Sequence, residues 1–343
     1  MTRYIIRRLL QAIPLLLVIS AAIFILVNEM GDPLASFGGR RRIRPSDRER
    51  LTRQLGLDKP VLVQYIVWLV GNDWMKIDMD GDGVPETPGT RRGVLRGDFG
   101  KSFMERRPVL EVIGKRIPNT LLLMLTTEVV VWIFALGIGI YSALRQYSTL
   151  DNVITAFSFI GYSMPVFWLA LILMYVFAVN FKKWGLPYFP TVGMYDLAVG
   201  KTVWQVAWHM VLPVTTMAII SIAGYSRYVR SQMLEVISQD YIRTAYAKGL
   251  PQRMVLLGHA LKNAALPLVT IEGMSLPLLL GGAVVTETIF AWPGMGRLYI
   301  DAASDTDVPV LMGILMILSV LVVVFQIITD ITYTFLDPRI RYD

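Results

Sequence analysis

The 343-residue chain is 54% apolar with a mean hydropathy of +0.52, which excludes an ordinary soluble domain and points to a polytopic membrane protein. Its formal charge of +7, from 33 basic and 26 acidic residues, is read through its distribution around membrane spans and not as nucleic-acid binding. With no cysteine and only His209 and His259, the chain offers no disulfide, no thiolate zinc or iron–sulfur site, no thiol catalysis and no histidine-rich metal centre.

Arg3, Arg7 and Arg8 precede an apolar run from Leu9 to Val27. The run approaches the length that crosses a hydrocarbon layer, and no small-x-small cleavage site follows it. It therefore reads as a retained first helix, within residues 1–28, with its N-terminus inside. Residues 29–117 then form a long polar insertion on the outside. Ser46-Asp47-Arg48-Glu49 has capping-box spacing with Gly56 as a stop, and Pro60 opens an apolar helix through Val70. Pro108 opens another, with Val109, Val112, Ile113 and Ile117 on one side.

Inside the insertion, Asp78, Asp80, Asp82 and Glu86 stand at positions 1, 3, 5 and 9 of a calcium-loop pattern, with Gly83 at position 6 and Val84 at the carbonyl position 7. A self-repelling cluster of carboxylates suits a hard cation. Position 12 is Gly89, not the bidentate glutamate of an EF-hand. The alternative is a turn-rich acidic loop solvated by water.

Residues 118–336 hold the remaining spans: Leu121–Leu144, Val153–Val179 with a kink at Ser163-Met164-Pro165, Val211–Val236, Leu266–Phe290 broken by Pro277 and Gly281-Gly282, and Pro309–Ile331. Residues 337–343 are a short tail. Glu128, Glu272 and Glu287 fall in or near spans, where an ionised group needs water or a partner. Glu272, with Met164 and Met274, is a candidate contact for a solute, and a substrate ammonium would suit its carboxylate. For Glu128 and Glu272 the plainer account is an interhelical hydrogen bond, and for Glu287 an interfacial position.

The polar segment 238–267 lies between the fourth and fifth spans. Asp240 is placed to cap a helix of about two turns, Tyr241, Ala245 and Ile242, Tyr246 repeat at i,i+4, and Gly249 can close it in the left-handed conformation. Leu250-Pro251 restarts the chain in a second short helix. With six spans and both ends inside, twelve basic residues lie in inner segments, against Lys182, Lys183, Lys201 and Arg297 in the two short outer loops. There is no phosphate-binding G-x-x-x-x-G-K-[ST] loop, no nucleophile elbow and no H-E-x-x-H pair, so no enzyme activity is expected of the chain itself.

Asp240, Tyr241, Arg243, Thr244, Ala245, Ala247, Lys248, Gly249 and Leu250, continued by His259, Ala260, Leu261, Asn263, Ala264 and Pro267, resemble the "EAA" loop of ABC-importer permeases. The likeness is to the dipeptide/oligopeptide/nickel branch, in which Arg243-Thr244-Ala245 stands where the wider superfamily has Glu-Ala-Ala. Gly97-Asp98-Phe99-Gly100-Lys101-Ser102, the stretch from Glu287 through Pro293-Gly294-Met295-Gly296 to Leu298, and Asp337-Pro338-Arg339-Ile340-Arg341 match further motifs of that branch in the same order. The acidic insert is not among them.

The resemblance implies an all-α membrane protein of six transmembrane helices in the type I ABC-importer permease fold, in a prokaryotic cytoplasmic membrane with both termini cytoplasmic. It implies one of two related permease subunits, two cytoplasmic ATPases that bind the ATP, and an external solute-binding protein. Asp240, Tyr241, Arg243, Thr244, Ala245, Lys248 and Gly249 would dock on an ATPase. Dipeptides, oligopeptides, nickel chelates and some sugars are the substrates of such permeases. An ion-coupled transporter or channel working alone is the competing class, but it leaves the segment 238–267 without a role and no inverted repeat supports it.

Overall fold

The computed structural model describes residues 2–29, 31, 34, 44–78, 84–264, 268, 271–273 and 284–336. Its helices are α1 (Thr2–Asn28), α2 (Pro45–Leu55), α3 (Val61–Val70), α4 (Val109–Leu144), α5 (Thr149–Ser163), α6 (Val166–Lys183), α7 (Val203–Ile237), α8 (Asp240–Ala247), α9 (Gln252–Met254), α10 (Val284–Ile289), α11 (Met295–Ser304) and α12 (Val308–Leu336). The strands β1 (Lys76–Ile77) and β2 (Thr87–Pro88) pair antiparallel. Among the described residues, five helices are long and apolar enough to cross a membrane: Ile6–Asn28 of α1, α4, α6, α7 and Val308–Ile331 of α12. Most of the expected span Leu266–Phe290 lies outside the described residues, as does the 337–343 tail.

Several elements differ from the sequence expectation. The span expected over Val153–Val179 is two helices, because the ring of Pro165 drives Met164 to an extended φ of −81° and ψ of 126° and ends α5 there. The short helix expected after Pro108 and the span expected from Leu121 are one 36-residue helix, α4. Pro118 removes a single backbone donor, while Val109, Val112, Ile113, Thr120, Leu123 and Met124 keep a buried stripe at helical period. Helix α7 starts at Val203 and not Val211, capped by Thr202 Oγ1 accepting from Gln205 N at 3.2 Å. Helix α2 has no side-chain cap from Ser46; Pro45 supplies the first turn, and Gly56 (φ 70°) ends it as expected.

The chain packs as two compact units. One joins Thr2–Pro118 to Leu298–Val323, around Phe24, Val27, Trp68, Leu69, Val94 and Met312. Here the buried Asp307, just ahead of α12, accepts from Ser102 Oγ, from Phe103 N at 3.1 Å and from Met104 N at 3.3 Å. Asp98 shapes the turn before it by accepting from Arg92 N and Gly100 N, each at 3.0 Å. The Gly97–Ser102 motif is thus a structural clamp on the start of a long apolar helix.

The other unit joins residues 119–297 to those from 324 on. Its polar clamp ties α5 to α7. Arg230 Nε and Nη2 each donate at 2.9 Å to the two oxygens of Asp151, which is 1% exposed and also accepts from Tyr147 N. A bidentate guanidinium–carboxylate pair fixes orientation as well as distance.

Removing one partner of such a buried pair leaves an uncompensated charge. Arg230→Met should therefore cost about 3 kcal/mol, read as a drop in the thermal midpoint of the purified protein, with Arg230→Lys recovering part of it. The Arg230 guanidinium holds the Asp151 carboxyl below its usual range. Its stabilising contribution is then complete above about pH 4 and lost as the pH falls through the lowered value, so Arg230→Met should also flatten the acid-side loss of stability. A variant as stable as the parent at neutral pH would refute the clamp.

Candidate functional site

Helix α8 is eight residues long with one apolar side, Ile242 and Ala245, which are 1% and 7% exposed. They pack against Val229 and Met233 of α7, Ala143 of α4, and Val255, Leu256 and Ala260 of the stretch that follows α9. Tyr241, Arg243, Thr244, Tyr246, Ala247 and Lys248 face outward. Two turns of helix are marginal alone, so this apolar seat is what holds α8 folded.

Asp240 is not the cap that the sequence suggested. The N-cap is Gln239, which makes no side-chain capping bond, and Asp240 is the first helical residue, 3.6 Å from Arg243 with both side chains exposed. Its carboxylate instead sits where the positive end of the helix dipole favours it. Gly249 closes the helix as expected, at φ 77°, with its N–H on Tyr246 O at 2.9 Å. Thr244 Oγ1 donates to Asp240 O at 2.9 Å, and Asn263 Nδ2 reaches both Tyr241 Oη at 3.2 Å and His259 O at 2.9 Å. The stretch that follows α9 therefore braces α8.

A second constellation surrounds Glu287, which is fully buried. Its Oε1 accepts from Thr120 Oγ1 at 2.8 Å and its Oε2 from Arg297 N at 3.0 Å, while Thr120 Oγ1 accepts from Met295 N at 2.7 Å. Trp292 Nε1 donates to Asn119 O at 2.9 Å, and Asn119 Nδ2 to Pro293 O at 2.8 Å. A Cβ on Gly294 would collide with the Glu287 carboxylate. The P-G-M-G turn is folded round a buried acid, and glycine is what lets the backbone come so close. Thr120 and Asn119 were not singled out from sequence, because their partners lie far along the chain.

Glu128 of α4 and Glu272 lie near each other. Among the described residues, one oxygen of each, Oε2, is buried without a partner. The pair is acceptor-rich, as an ammonium or a shared proton would require. Met164 is packed near Leu169, Leu173 and Phe290, and Met274 lies outside the described residues. Of the expected calcium ligands, Asp80 and Asp82 lie outside them too; Asp78, Val84 and Glu86 belong to the connection between β1 and β2, whose pairs Ile77↔Thr87 and Lys76↔Pro88 close the loop. Among the described residues no group of three or more His, Asp or Glu gathers for a metal.

Residues 1–124 match the family described as binding-protein-dependent transport system membrane component, N-terminal, and residues 135–342 the family described as binding-protein-dependent transport system inner membrane component. The chain is 42% identical to the oligopeptide transport system permease protein AppB of Bacillus subtilis, over the full length of both. It is 34% identical to the dipeptide transport system permease protein DppB of Escherichia coli, covering 100% of this chain and 99% of that one. A chain of the MetNI methionine ABC transporter, solved in inward-facing conformations, superposes with a TM-score of 0.51 at 17% identity, over 66% of this chain and 97% of that one. At that identity the likeness is one of fold.

The left-handed backbone at Gly249 tests the geometry of the site. Gly249→Val should cost about 1–3 kcal/mol locally and loosen α8, giving faster tryptic cleavage at Arg243 and Lys248 while the thermal midpoint of the whole chain moves little. Unchanged cleavage would contradict the positive φ.

Proposed function

From the premise that this chain belongs to the binding-protein-dependent transport system inner membrane component family, in its dipeptide and oligopeptide permease branch, we propose that it carries short peptides across a membrane. It is a multi-pass permease subunit of an ATP-binding-cassette importer and not an enzyme; ATP hydrolysis belongs to partner ATPases. The peptide substrate is supported by the relatives from Bacillus subtilis and Escherichia coli, whose names state oligopeptide and dipeptide transport.

The full assembly under this proposal has a second, related permease, two cytoplasmic ATPases and an external solute-binding protein, in the cytoplasmic membrane of a prokaryote with both termini inside. The exposed face of α8, formed by Asp240, Tyr241, Arg243, Thr244 and Lys248, docks in a groove on one ATPase. The observation that carries this is the seating of α8: Ile242 and Ala245 are buried in one cluster with α7 and the stretch after α9, while a charged and aromatic face is left outward. Only Ser238 and Gln239 separate α7 from α8, so a push on α8 is delivered to α7, and through Arg230 and Asp151 to α5. Closure of the ATPases on ATP would then tilt spans and switch the side on which the pathway opens.

Within the pathway, Glu272 with Glu128 supplies acceptors for a peptide ammonium or basic side chain, and Met164 and Met274 supply adaptable apolar contact. The loop holding Asp78, Asp80, Asp82, Val84 and Glu86 takes a calcium ion; β1 and β2 support this by bringing the ends of the loop together.

Ala245→Trp should lift α8 off its seat. Peptide uptake and substrate-stimulated ATPase activity in proteoliposomes of the full complex should fall about tenfold or more, equivalent to ~1.4 kcal/mol of coupling, while the subunit still reaches the membrane. Intact coupling would remove α8 from the mechanism, and a purified chain that transports without any ATPase would overturn the whole reading. For calcium, the parent protein should melt at higher temperature with the ion present, and joint replacement of Asp78, Asp80 and Asp82 by Asn should abolish that rise. A parent protein indifferent to calcium would end the idea.

A further inference from the structure

In the unit that contains residues 119–297, the loop between α6 and α7 and the first turns of α7 form an open pocket of about 610 Å3. The loop is tied down along its length: Phe189 N donates to Phe177 O at 3.1 Å, Gly193 N donates to Phe290 O at 2.9 Å, and Met194 is buried in one cluster with Val206 and Met210 of α7. The pocket wall includes Asp196, Gln205, Trp208 and His209 and no lysine or arginine. Lys182 lies over the Tyr188 ring, 5.3 Å from its centroid, and is not part of that wall.

His209 is only 7% exposed. Its Nδ1 lies 2.8 Å from Gln205 O, and because a carbonyl can only accept, Nδ1 carries the proton and the neutral ring keeps its lone pair on Nε2. Among the described residues Nε2 has no hydrogen-bond partner, yet it keeps accessible surface. The open side of His209 is the pocket it lines. Asp196 brings a carboxylate to the same pocket and has no ion pair among the described residues. Its Oδ1 accepts from Ala198 N at 2.9 Å, which leaves Oδ2 to a ligand. Gln205 joins the two groups: its backbone carbonyl holds the His209 ring, and its Oε1 accepts from Asp196 N at 3.3 Å.

An imidazole lone pair and a carboxylate without a counter-ion, in a wall that holds no cationic side chain, call for a cation that takes lone pairs. The outer contacts are those of a metal site. A ligating imidazole donates its other N–H to a carbonyl, and a ligating carboxylate is itself held by a hydrogen bond; His209 and Asp196 have both contacts already. We propose that this pocket binds a divalent transition-metal ion of the zinc type through His209 Nε2 and Asp196 Oδ2, with water completing the coordination. Hard ions such as Mg2+ and Ca2+ take oxygen ligands and gain nothing from the imidazole. The bound ion ties the loop before α7 to α7 itself. The site is independent of peptide transport and of the acidic loop 78–86, which has no histidine.

The test uses the full chain, purified without a polyhistidine tag and held in amphipol. Zinc binding is read by isothermal titration in excess Mg2+ and Ca2+, which occupy oxygen-only sites. His209→Ala should weaken zinc binding about tenfold or more and Asp196→Asn about threefold or more, whereas His259→Ala should leave it unchanged. With Cu2+ as a second probe, pulsed electron paramagnetic resonance should show an imidazole nitrogen among the ligands, and that signal should survive His259→Ala. The chain has no cysteine and only these two histidines, so a surviving signal belongs to His209. The proposal is overturned if zinc does not bind, if either His209→Ala or Asp196→Asn binds it like the parent, or if the imidazole signal disappears with His259→Ala. Should His209→Ala fail to fold, the resonance measurement on His259→Ala still decides, because it leaves the proposed site untouched.

Discussion

The burial of Ile242 and Ala245 in one cluster with Val229 and Met233 of α7 and Val255, Leu256 and Ala260 is the packing on which the functional reading turns. An eight-residue helix has too few hydrogen bonds to persist by itself, because nucleation costs more than two turns return. Burial in a cluster shared with the end of a 35-residue helix and with residues 255–260 holds it in place. A force applied to its outer face is then not dissipated in a loop. Gly249 and Pro251 end it abruptly, which keeps the element short.

The second theme is how charged groups are kept in a chain dominated by apolar helices. Asp151 is matched to Arg230 by two parallel bonds, and Arg227 lies over the rings of Phe159 and Tyr162, at 4.8 and 5.0 Å from their centroids. Glu287 is satisfied by a threonine hydroxyl and a backbone N–H. Against that background Glu128 and Glu272 stand out, since among the described residues each keeps an oxygen with no donor. The basic residues Arg227 and Arg230 of α7 are committed elsewhere, to Ala223 O and to Asp151. Buried polar groups left incomplete by the chain itself are where a transport protein has room for chemistry.

Much of this was legible in the sequence, for identifiable reasons. Long apolar runs reveal spans because lipid removes every alternative for the backbone, and Gly56 and Gly249 reveal stops because only glycine accepts their backbone at no cost. The element 240–249 was readable as a helix from its spacing alone. What was not readable is the partner of each polar group. Capping residues were assigned to Ser46 and Asp240 by pattern, whereas Arg44 and Gln239 take those places, because a cap depends on where the helix actually begins. Met164-Pro165 looked like a kink within a span and is a full break.

The Glu287 cluster shows why pairing escapes a reading by periodicity. Thr120 and Glu287 are 167 positions apart, and nothing local to either marks it for the other. The visible signal was the glycine at 294, an unusual residue to find between Pro293 and Met295 unless the backbone must pass close to something. Close passage is what the structure has, with the carboxylate filling the space a side chain would take. The same logic governs Gly273, where a Cβ would collide with Thr329, and it extends to the neighbouring Glu272. With its backbone held that near to α12, Glu272 has little freedom to swing away from Glu128.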